Sequence, residues 1–478
     1  MATWGLDLVY AGRTFSFTDE IDVQLTAQFS VFSGTIAEVS EVSLTLDLGI
    51  DVPQAVEDGY DLSGATGELT LDSVVVLKGR AIRPVYGDPG EGLGVVRLTL
   101  RESVIDDTAL IPGPLAKVDS VSWAQHDPNV RQRVYPEIFG APGADIAGPG
   151  SPAYHGDTDP ADKQLIIIAG HTVEATQVKM HNITGDYVDT YTVVKAIDGR
   201  GQRVSVIDAQ ETPANLVNEG DELWIEWFSG GGRSGAAGDV LAHMMSQSAV
   251  RVDPGRLAAA IQPLNGFQLD FYIDERVQPL EWVADNLLGI LPFSLSRDID
   301  GLYPLVYTHS VRATAAIAHL VVGPDCIAAS PVTYEGEPLT EFRLEYAPRA
   351  DTGEHFGVAV ATEDDNDFCA TARNRYRGDS HDGRYSVDMS TDIVYDAATA
   401  ERIVATIVER RALRARTVQY SLDRSIHATL IRAGRFVTIT DADRAWSQKP
   451  AWVTSRTDTS LDMLVTLLVK DELSRELH

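Results

Sequence analysis

The sequence predicts a mainly β, multidomain fold with α+β parts, and three features carry that prediction. Apolar and polar residues alternate through short runs in the first 120 residues, as in Val42, Leu44, Leu46 and Leu48 and again in Val96, Leu98 and Leu100. Glycines and prolines cut the next hundred residues into further short strand-like runs. Beyond residue 235 apolar residues recur at helical spacing, and strands follow each such stretch. A period of two puts every second side chain on one sheet face, whereas spacings of three and four line one face of a helix.

In chain order, residues 1–120 hold the runs WGLDLVY, RTFSF, DVQLTAQFSVF, EVSLTLDLGI, TGELTL, VVVLKGRAI and GVVRLTLRE, with Gly12, Gly34, Gly64 and Gly79 at the breaks. They predict an N-terminal β-barrel or sandwich. Residues 111–160 are rich in Pro and Gly and mark a boundary followed by a long excursion. Runs at 165–169, 172–180, 187–196, 203–207 and 223–228 then predict a second β-rich domain over 121–232, inserted into its surroundings. A third unit, 233–335, opens on a helical stretch at 238–248. Leu280, Val283, Ala284, Leu287 and Leu288 mark a second helix over 279–289, and LPFSLSRDIDGLYPLVY reads as a hairpin over 291–307 turning at Asp300-Gly301. The last unit, 336–478, has a helix over 396–413. Asp396 stands at its N-cap, and Ala400, Ile403, Val404, Ile407 and Val408 form its buried stripe. Strands follow at Phe436, Val437 and Ile439, at Trp452 and Val453, and at Leu461, Leu464, Val465, Leu467 and Val469, separated by Gly434, by 441–443 and by Pro450.

A chain of 478 residues exceeds one core and predicts roughly three or four domains. Seventy acidic residues against 39 basic ones leave a formal net charge of -31, which argues against holding nucleic acid by neutralising phosphates. Acidity of that size keeps a large protein soluble, and it also suits a wall past which DNA slides without sticking. Two cysteines, Cys326 and Cys369, make no disulfide framework and fit assembly in a reducing cytoplasm. The start MATWGLDLVYAGRTF lacks the basic and apolar regions of a signal peptide, and no apolar run approaches the length of a membrane span. KDEL at 470–473 is internal, and the sequon at Asn182 has no meaning without secretion.

Each chemical motif has a plain reading beside it. The run 230–235, GGGRSG, satisfies GxGxxG with Asp253 downstream, but no repeated βαβ pattern follows and no GK[ST] is present, so it reads as a flexible linker. His155, Asp157, Asp159 and Asp162 have calcium-ligand chemistry without EF-hand spacing and read as a solvated turn. His171 and His181 lack the companions of a zinc site. Glu363, Asp364, Asp365 and Asp367 read as a loop, with a lumen-facing carboxylate ring as the sharper alternative. Trp4, Trp123, Trp224, Trp227, Trp282, Trp446 and Trp452 read as packing residues rather than a sugar platform. No catalytic, cofactor-binding or metal-binding residue is assigned, no cofactor is expected, and the chain reads as a non-enzyme.

The helix over 396–413, the RAGRFVTITD stretch and the terminal VTSRTDTSLDMLVTLLVKDE strands, together with the helix–hairpin succession before them, resemble the tail-tip or baseplate hub proteins of long-tailed phages and gene transfer agents. VYPEIFGAPG is similar to the segment that opens the second region of such hubs. The resemblance implies a tail-tube-like N-terminal domain, a homotrimer at the virion tail tip, and partners in the distal tail-tube ring protein, the tape-measure protein and a tail fibre or receptor-binding protein. DNA would pass through without specific binding. Many relatives continue into fibre-forming modules where this sequence ends, which assigns receptor binding to a separate protein or to the second β unit. The rival readings are a stand-alone carbohydrate-binding adhesive protein and, third, a cell-wall hydrolase, which needs a positioned carboxylate pair.

Overall fold

The computed structural model describes residues 4–10, 13–18, 21–28, 41–47, 62–71, 74–88, 92–102, 109–124, 126, 128–159, 163–182, 188–208, 223–248, 250–298, 301–306, 316–379, 381–422, 431, 435–458 and 463–469. Of the features read from the sequence, Gly12, Gly34, Leu48, Asp162, Asp300, Gly434, Leu461 and the stretch 470–473 lie outside them.

Seven strands build the N-terminal part: β1 (Trp4–Tyr10), β2 (Arg13–Thr18), β3 (Ile21–Gln28), β4 (Glu41–Asp47), β5 (Thr66–Leu71), β6 (Val74–Asp88) and β7 (Gly92–Glu102). All neighbours are antiparallel, in the order β3-β4-β7-β6-β5-β1-β2. The period-two pattern decides which face is buried. Leu6, Leu8, Phe15, Phe17, Val42, Leu44, Leu46, Leu98 and Leu100 turn inward, while Asp7, Thr14, Ser16, Ser43 and Arg97 face out. The sheet curls until Leu8 and Leu100 meet over Gly67, where an added Cβ would lie 2.8 and 2.7 Å from their methyl groups.

After β8 (Glu137–Phe139), the strands β9 (Ser151–Asp159), β10 (Lys163–Ala169), β11 (Gln177–Asn182), β12 (Val188–Ile197), β13 (Arg203–Asp208) and β14 (Leu223–Glu226) close into a barrel, β10-β13-β12-β11-β14-β9. Closure leaves no free edge inside the barrel. Ile166, Ile168, Val178, Met180, Ile207, Ile225 and Trp227 share its core. A second cluster outside the wall, with Val118, Trp123 and Tyr135 against Ile167, Val204 and Val206, binds the barrel to the segment that leads into it.

The glycine run after β14 is not a free tether, contrary to the linker reading. Gly232 and Gly235 are buried, and a Cβ on Gly231 or Gly232 would overlap the carbonyl oxygen of Gly140 or Ile138. Glycine is required there because two backbones run side by side, joined by Gly232 N–H to Gly140 O at 2.8 Å and Arg233 N–H to Ile138 O at 2.8 Å.

The helical part follows: α1 (Ala237–Gln247), α2 (Pro254–Leu264), β15 (Phe271–Ile273) paired with β8, α3 (Pro279–Asn286), and the hairpin β16 (Phe293–Asp298) and β17 (Gly301–Val306). Asp253 is the N-cap of α2, accepting from the backbone N–H of Gly255 and Arg256 at 2.9 and 3.1 Å, with Pro254 opening the helix. Three short strands come next, β18 (His319–Val321), β19 (Cys326–Ala328) and β20 (Thr333–Glu335). Then β21 (Glu341–Pro348), β22 (His355–Ala361), α4 (Asp367–Arg375), β23 (Ser386–Ser390) and α5 (Ala397–Arg411) complete one core. In that core the buried stripe of α5, Ile403, Val404, Ile407 and Val408, shares a cluster with Phe342, Leu344, Ala359 and Ala361 of the β22-β21-β23 sheet.

The last strands are β24 (Ala415–Leu422), β25 (Phe436–Asp441), β26 (Trp446–Asp458) and β27 (Met463–Val469). β26 changes partner along one edge. Its first part pairs with β25, and its last four residues, Ser455, Arg456, Thr457 and Asp458, pair with Gln28, Ala27, Thr26 and Leu25 of β3. The two ends of the chain thereby enter one 14-stranded sheet.

The close backbone approach at the glycine run predicts a graded mutational response. Gly231→Ala should lose about 2–3 kcal/mol of stability in urea unfolding, since the added methyl forces two backbones apart. Gly201→Ala, at φ +82° with open space around it, should lose about 1 kcal/mol. Equal losses would show that the run is not held by that approach.

Candidate functional site

The feature with the greatest reach is the open 14-stranded sheet, whose order runs β19-β24-β27-β26-β3-β4-β7-β6-β5-β1-β2, with β20 also on β24 and with β25 and β18 branching from β26. Among the described residues, β2 at one end pairs only with β1, and β19 and β20 at the other end pair only with β24. An unpaired edge presents a row of backbone donors and acceptors to another chain. The β19/β20 edge also carries Ile327 at 70% exposure and Tyr334 at 64%, and residues 326–334, CIAASPVTY, include no Asp, Glu, Lys, Arg or His. The β2 edge turns Thr14 and Ser16 outward.

Three charged knots tie distant parts of the chain together. The first lies where barrel and helices meet. Glu137 of β8, buried, accepts from Arg233 Nε at 2.7 Å and lies 3.0 Å from His243 Nε2 of α1. Burial pushes its carboxyl up, but the His243 hydrogen bond and the Arg233 charge outweigh that and leave it below the usual range. Beside it His171, on the turn after β10, accepts the Ile138 N–H on Nε2 at 3.1 Å, so Nδ1 carries the proton and donates to Thr172 O at 3.1 Å. Burial, and then the Arg233 cation, depress the His171 pKa.

The second knot ties the barrel to the strand-free segment before it. Asp119 takes backbone N–H bonds from Val121 and Ser122 at 2.9 and 3.0 Å and pairs with Arg200 Nη2. Tyr135 OH donates to Asp198 at 2.9 Å and accepts from Trp123 Nε1 at 2.9 Å. In the third, Asp441 at the end of β25 accepts from Tyr420 OH at 2.7 Å and pairs with Arg444 Nη1. In both acids burial raises the pKa, and hydrogen bonds with the arginine or tyrosine partner pull it below the carboxylate range.

The residues singled out in the sequence are scattered rather than brought together. His155 is buried on β9. Asp157 and Asp159 are described by their backbone pairing to Leu165 and Lys163 alone. His171 belongs to the Glu137 knot, whereas His181 sits on the barrel wall 3.1 Å from Glu226 Oε2, with Lys179 Nζ 2.6 Å from Oε1. Among the described residues, no three His, Cys, Asp or Glu side chains gather as metal ligands. The acidic stretch is a turn closed by Thr362 N–H on Asp365 at 2.6 Å, then an N-cap at Asn366 and a helix starting at Asp367, with Glu363 bound to Arg373 at 3.1 Å. A loop across all four acids is thus corrected at Asp367, because Asn366 accepts from the Phe368 and Cys369 N–H groups and starts α4. Trp123, Trp227 and Trp446 are buried, and Trp282 stacks on Phe271 at 4.7 Å. Trp452 meets Phe436 at 5.1 Å. The side chain of Trp4 is outside the described set. The Glu137 knot itself was missed, although an acid between Tyr135, Ile138 and Phe139 in so apolar a run was a signal of a buried partner.

Because the folded pKa of His171 lies below its ordinary value near 6.5, its contribution to stability is complete above that pH. The contribution falls as pH drops toward the depressed folded value, where the unfolded chain takes the proton first. His171→Gln, whose side-chain oxygen can accept the Ile138 N–H, should therefore flatten the fall in melting temperature between roughly pH 7 and 5. A wild-type slope retained in the variant would place that titration elsewhere.

No protein-family model matches the chain, and no curated protein matches it. Solved structures do match. A tail protein from Neisseria meningitidis aligns over 98% of this chain and 97% of its own, with 10% identity and a TM-score of 0.43. The 43 kDa tail protein of prophage MuSo2 from Shewanella oneidensis aligns over 98% of both, with 11% identity and a TM-score of 0.41. A chain of a native gene transfer agent virion aligns over 75% of this chain and 90% of its own, with 12% identity and a TM-score of 0.41. The mainly β, multidomain chain is thus similar along its length to phage tail proteins.

Proposed function

We propose that the protein is a structural component of a phage-type tail tip, a hub of three copies that closes the end of the tail tube, links it to receptor-binding fibres and opens for DNA. The observation that carries this reading is the pairing of β26 with β3, which makes one long sheet from both ends of the chain and, among the described residues, leaves β2, β18 and β19/β20 each paired with a strand on one side only. The β2 and β19/β20 edges differ, so copies joining through them do so head to tail. Such contacts close into a ring when the rotation between copies is a whole fraction of a turn. Three copies joined in this way give a continuous β wall around a channel. The surplus of carboxylates, at -31 per chain, keeps a phosphate backbone from adhering to such a wall. The sequence resemblance to tail-tip hubs supports the same assignment.

In this reading the tail-tube ring sits on one side, the tape-measure protein ends in the channel and a fibre protein attaches on the other side, with the virion as the site of residence. Channel opening would be a rearrangement of rigid units about the charged knots, of the kind packed interfaces permit. A hub with the same inner diameter before and after ejection would sink that step.

Particle mass and electron microscopy of the purified chain, alone and with a tail-tube ring protein, test the assembly. A threefold ring of three 51.9 kDa chains is expected. Ile327→Lys with Tyr334→Lys should abolish the ring while leaving the melting temperature of the monomer within about a degree, because surface substitutions are usually near neutral. A monomer that ignores the ring protein would discard the hub and make glycan binding the next assay.

A further inference from the structure

Strand β22 carries its small side chains inward and its large apolar ones outward, the reverse of what a sheet covered on one face needs. Ala359 and Ala361 turn toward the stripe of α5, and the ring of Tyr346 lies against Gly357. Phe356, Val358 and Val360 face out, at 59%, 46% and 44% exposure. A solvated sheet face normally shows polar residues. The two neighbouring strands obey that rule, with Arg343 and Glu345 of β21 bonded to each other at 2.9 Å and with Ser386 and Asp388 of β23 exposed.

The backbone of the same three residues is directed at an open edge. Among the described residues β22 pairs only with β21, in the order β22-β21-β23. Glu341 N–H donates to Tyr385 O at 3.1 Å, and Glu345 O accepts from Thr391 N–H at 2.9 Å, so this set of β21 residues turns its backbone groups toward β23. Hydrogen-bonded and non-hydrogen-bonded positions alternate along an antiparallel pair. The bonds between β21 and β22 therefore run through Phe342, Leu344 and Tyr346 to Ala361, Ala359 and Gly357. Val360 and Val358, opposite Arg343 and Glu345, aim N–H and C=O away from β21, and Phe356 continues the alternation. Natural edges are guarded by a charge, a proline, a bulge or a covering segment. Residues 356–362, FGVAVAT, contain no charge and no proline, whereas β23 at the other edge has Asp388.

We propose that β22 pairs with β22 of a second copy, antiparallel about a twofold axis at Val358. That register sets Val358 against the partner's Val358, and Phe356 against the partner's Val360. It joins the apolar stripes on one face, and it matches outward-directed backbone groups with their like, so each N–H and C=O of the three residues gains a bond. A second copy is the occupant because the register is self-complementary and because chains of net charge -31 approach most readily where they are uncharged. The contact is isologous and closes at two copies, so the edge does not propagate into a fibre. Three residues a side make a small contact, of the transient class below about 1,200 Å². It uses none of the strands assigned to the ring, so either proposal can fail without the other.

The test places one new cysteine in the full-length chain, whose own Cys326 and Cys369 are buried. Opposed residues of a hydrogen-bonded pair stand about 5.5 Å apart at Cα, within disulfide reach. Val358→Cys at about 100 µM should therefore give a disulfide-linked band of two chains on oxidation with copper phenanthroline. Phe356→Cys, which the same register holds roughly 13 Å from its counterpart, should not, and adding Val360→Cys to it should restore the band. In the Ile327→Lys, Tyr334→Lys chain, which cannot use the β19/β20 edge, the sedimentation mass should rise with concentration from 51.9 kDa toward twice that value, and Val358→Lys should hold it at one chain. A band from Phe356→Cys as strong as that from Val358→Cys, no band from Val358→Cys, or a mass that Val358→Lys leaves unchanged would overturn the proposal.

Discussion

Four backbone residue pairs between β26 and β3 set the form of this molecule. They join parts of the chain more than 400 residues apart, yet the entropy of closing a loop grows only logarithmically, by about 0.6 kcal/mol per doubling of length. A short register therefore suffices once both sheets exist. The switch of β26 from β25 to β3 makes room for it. Beside the joint Arg456 is buried, with Nη1 donating to Ile431 O at 2.6 Å. Everything between β3 and β26, including barrel, helices and the β21 sheet, is an excursion that must return to that point.

The return is made rigid by charge as much as by apolar packing. Glu137 and Asp119 are buried where two parts of the chain meet and Asp441 within the last sheet, and each is held by an arginine together with backbone, histidine or tyrosine donors. Removing one partner from such a group leaves a charge in low dielectric, so these knots specify geometry more strongly than they add stability. An acid low in pKa, set among donors, resists being parted from them. That suits units that move as wholes if they move at all.

A net charge of -31 makes the approach of a second copy unfavourable except through neutral strips. The 326–334 segment is such a strip, and among the described residues its strands pair with β24 alone of the other strands.

Local physical chemistry was enough to read much of the fold from the sequence. Asp396 and the stripe of α5 appear as a helix at Ala397–Arg411, because a capping side chain and a one-sided apolar face need nothing from the rest of the chain. The period-two alternation of Val42, Leu44 and Leu46 identified a half-buried strand for the same reason. Helix α4 was illegible as a stripe, since only Cys369 and Ala372 of it are buried, although Asn366 signalled its start. Asp253, read first as a distant acid of a nucleotide motif, is the cap of α2. The tertiary structure alone decided the partner of β26, the tight packing of the glycine run and the gathering of Glu137, His171, Arg233 and His243. Each of these depends on which distant backbone or side chain arrives alongside, and no local spacing in a sequence encodes that arrival.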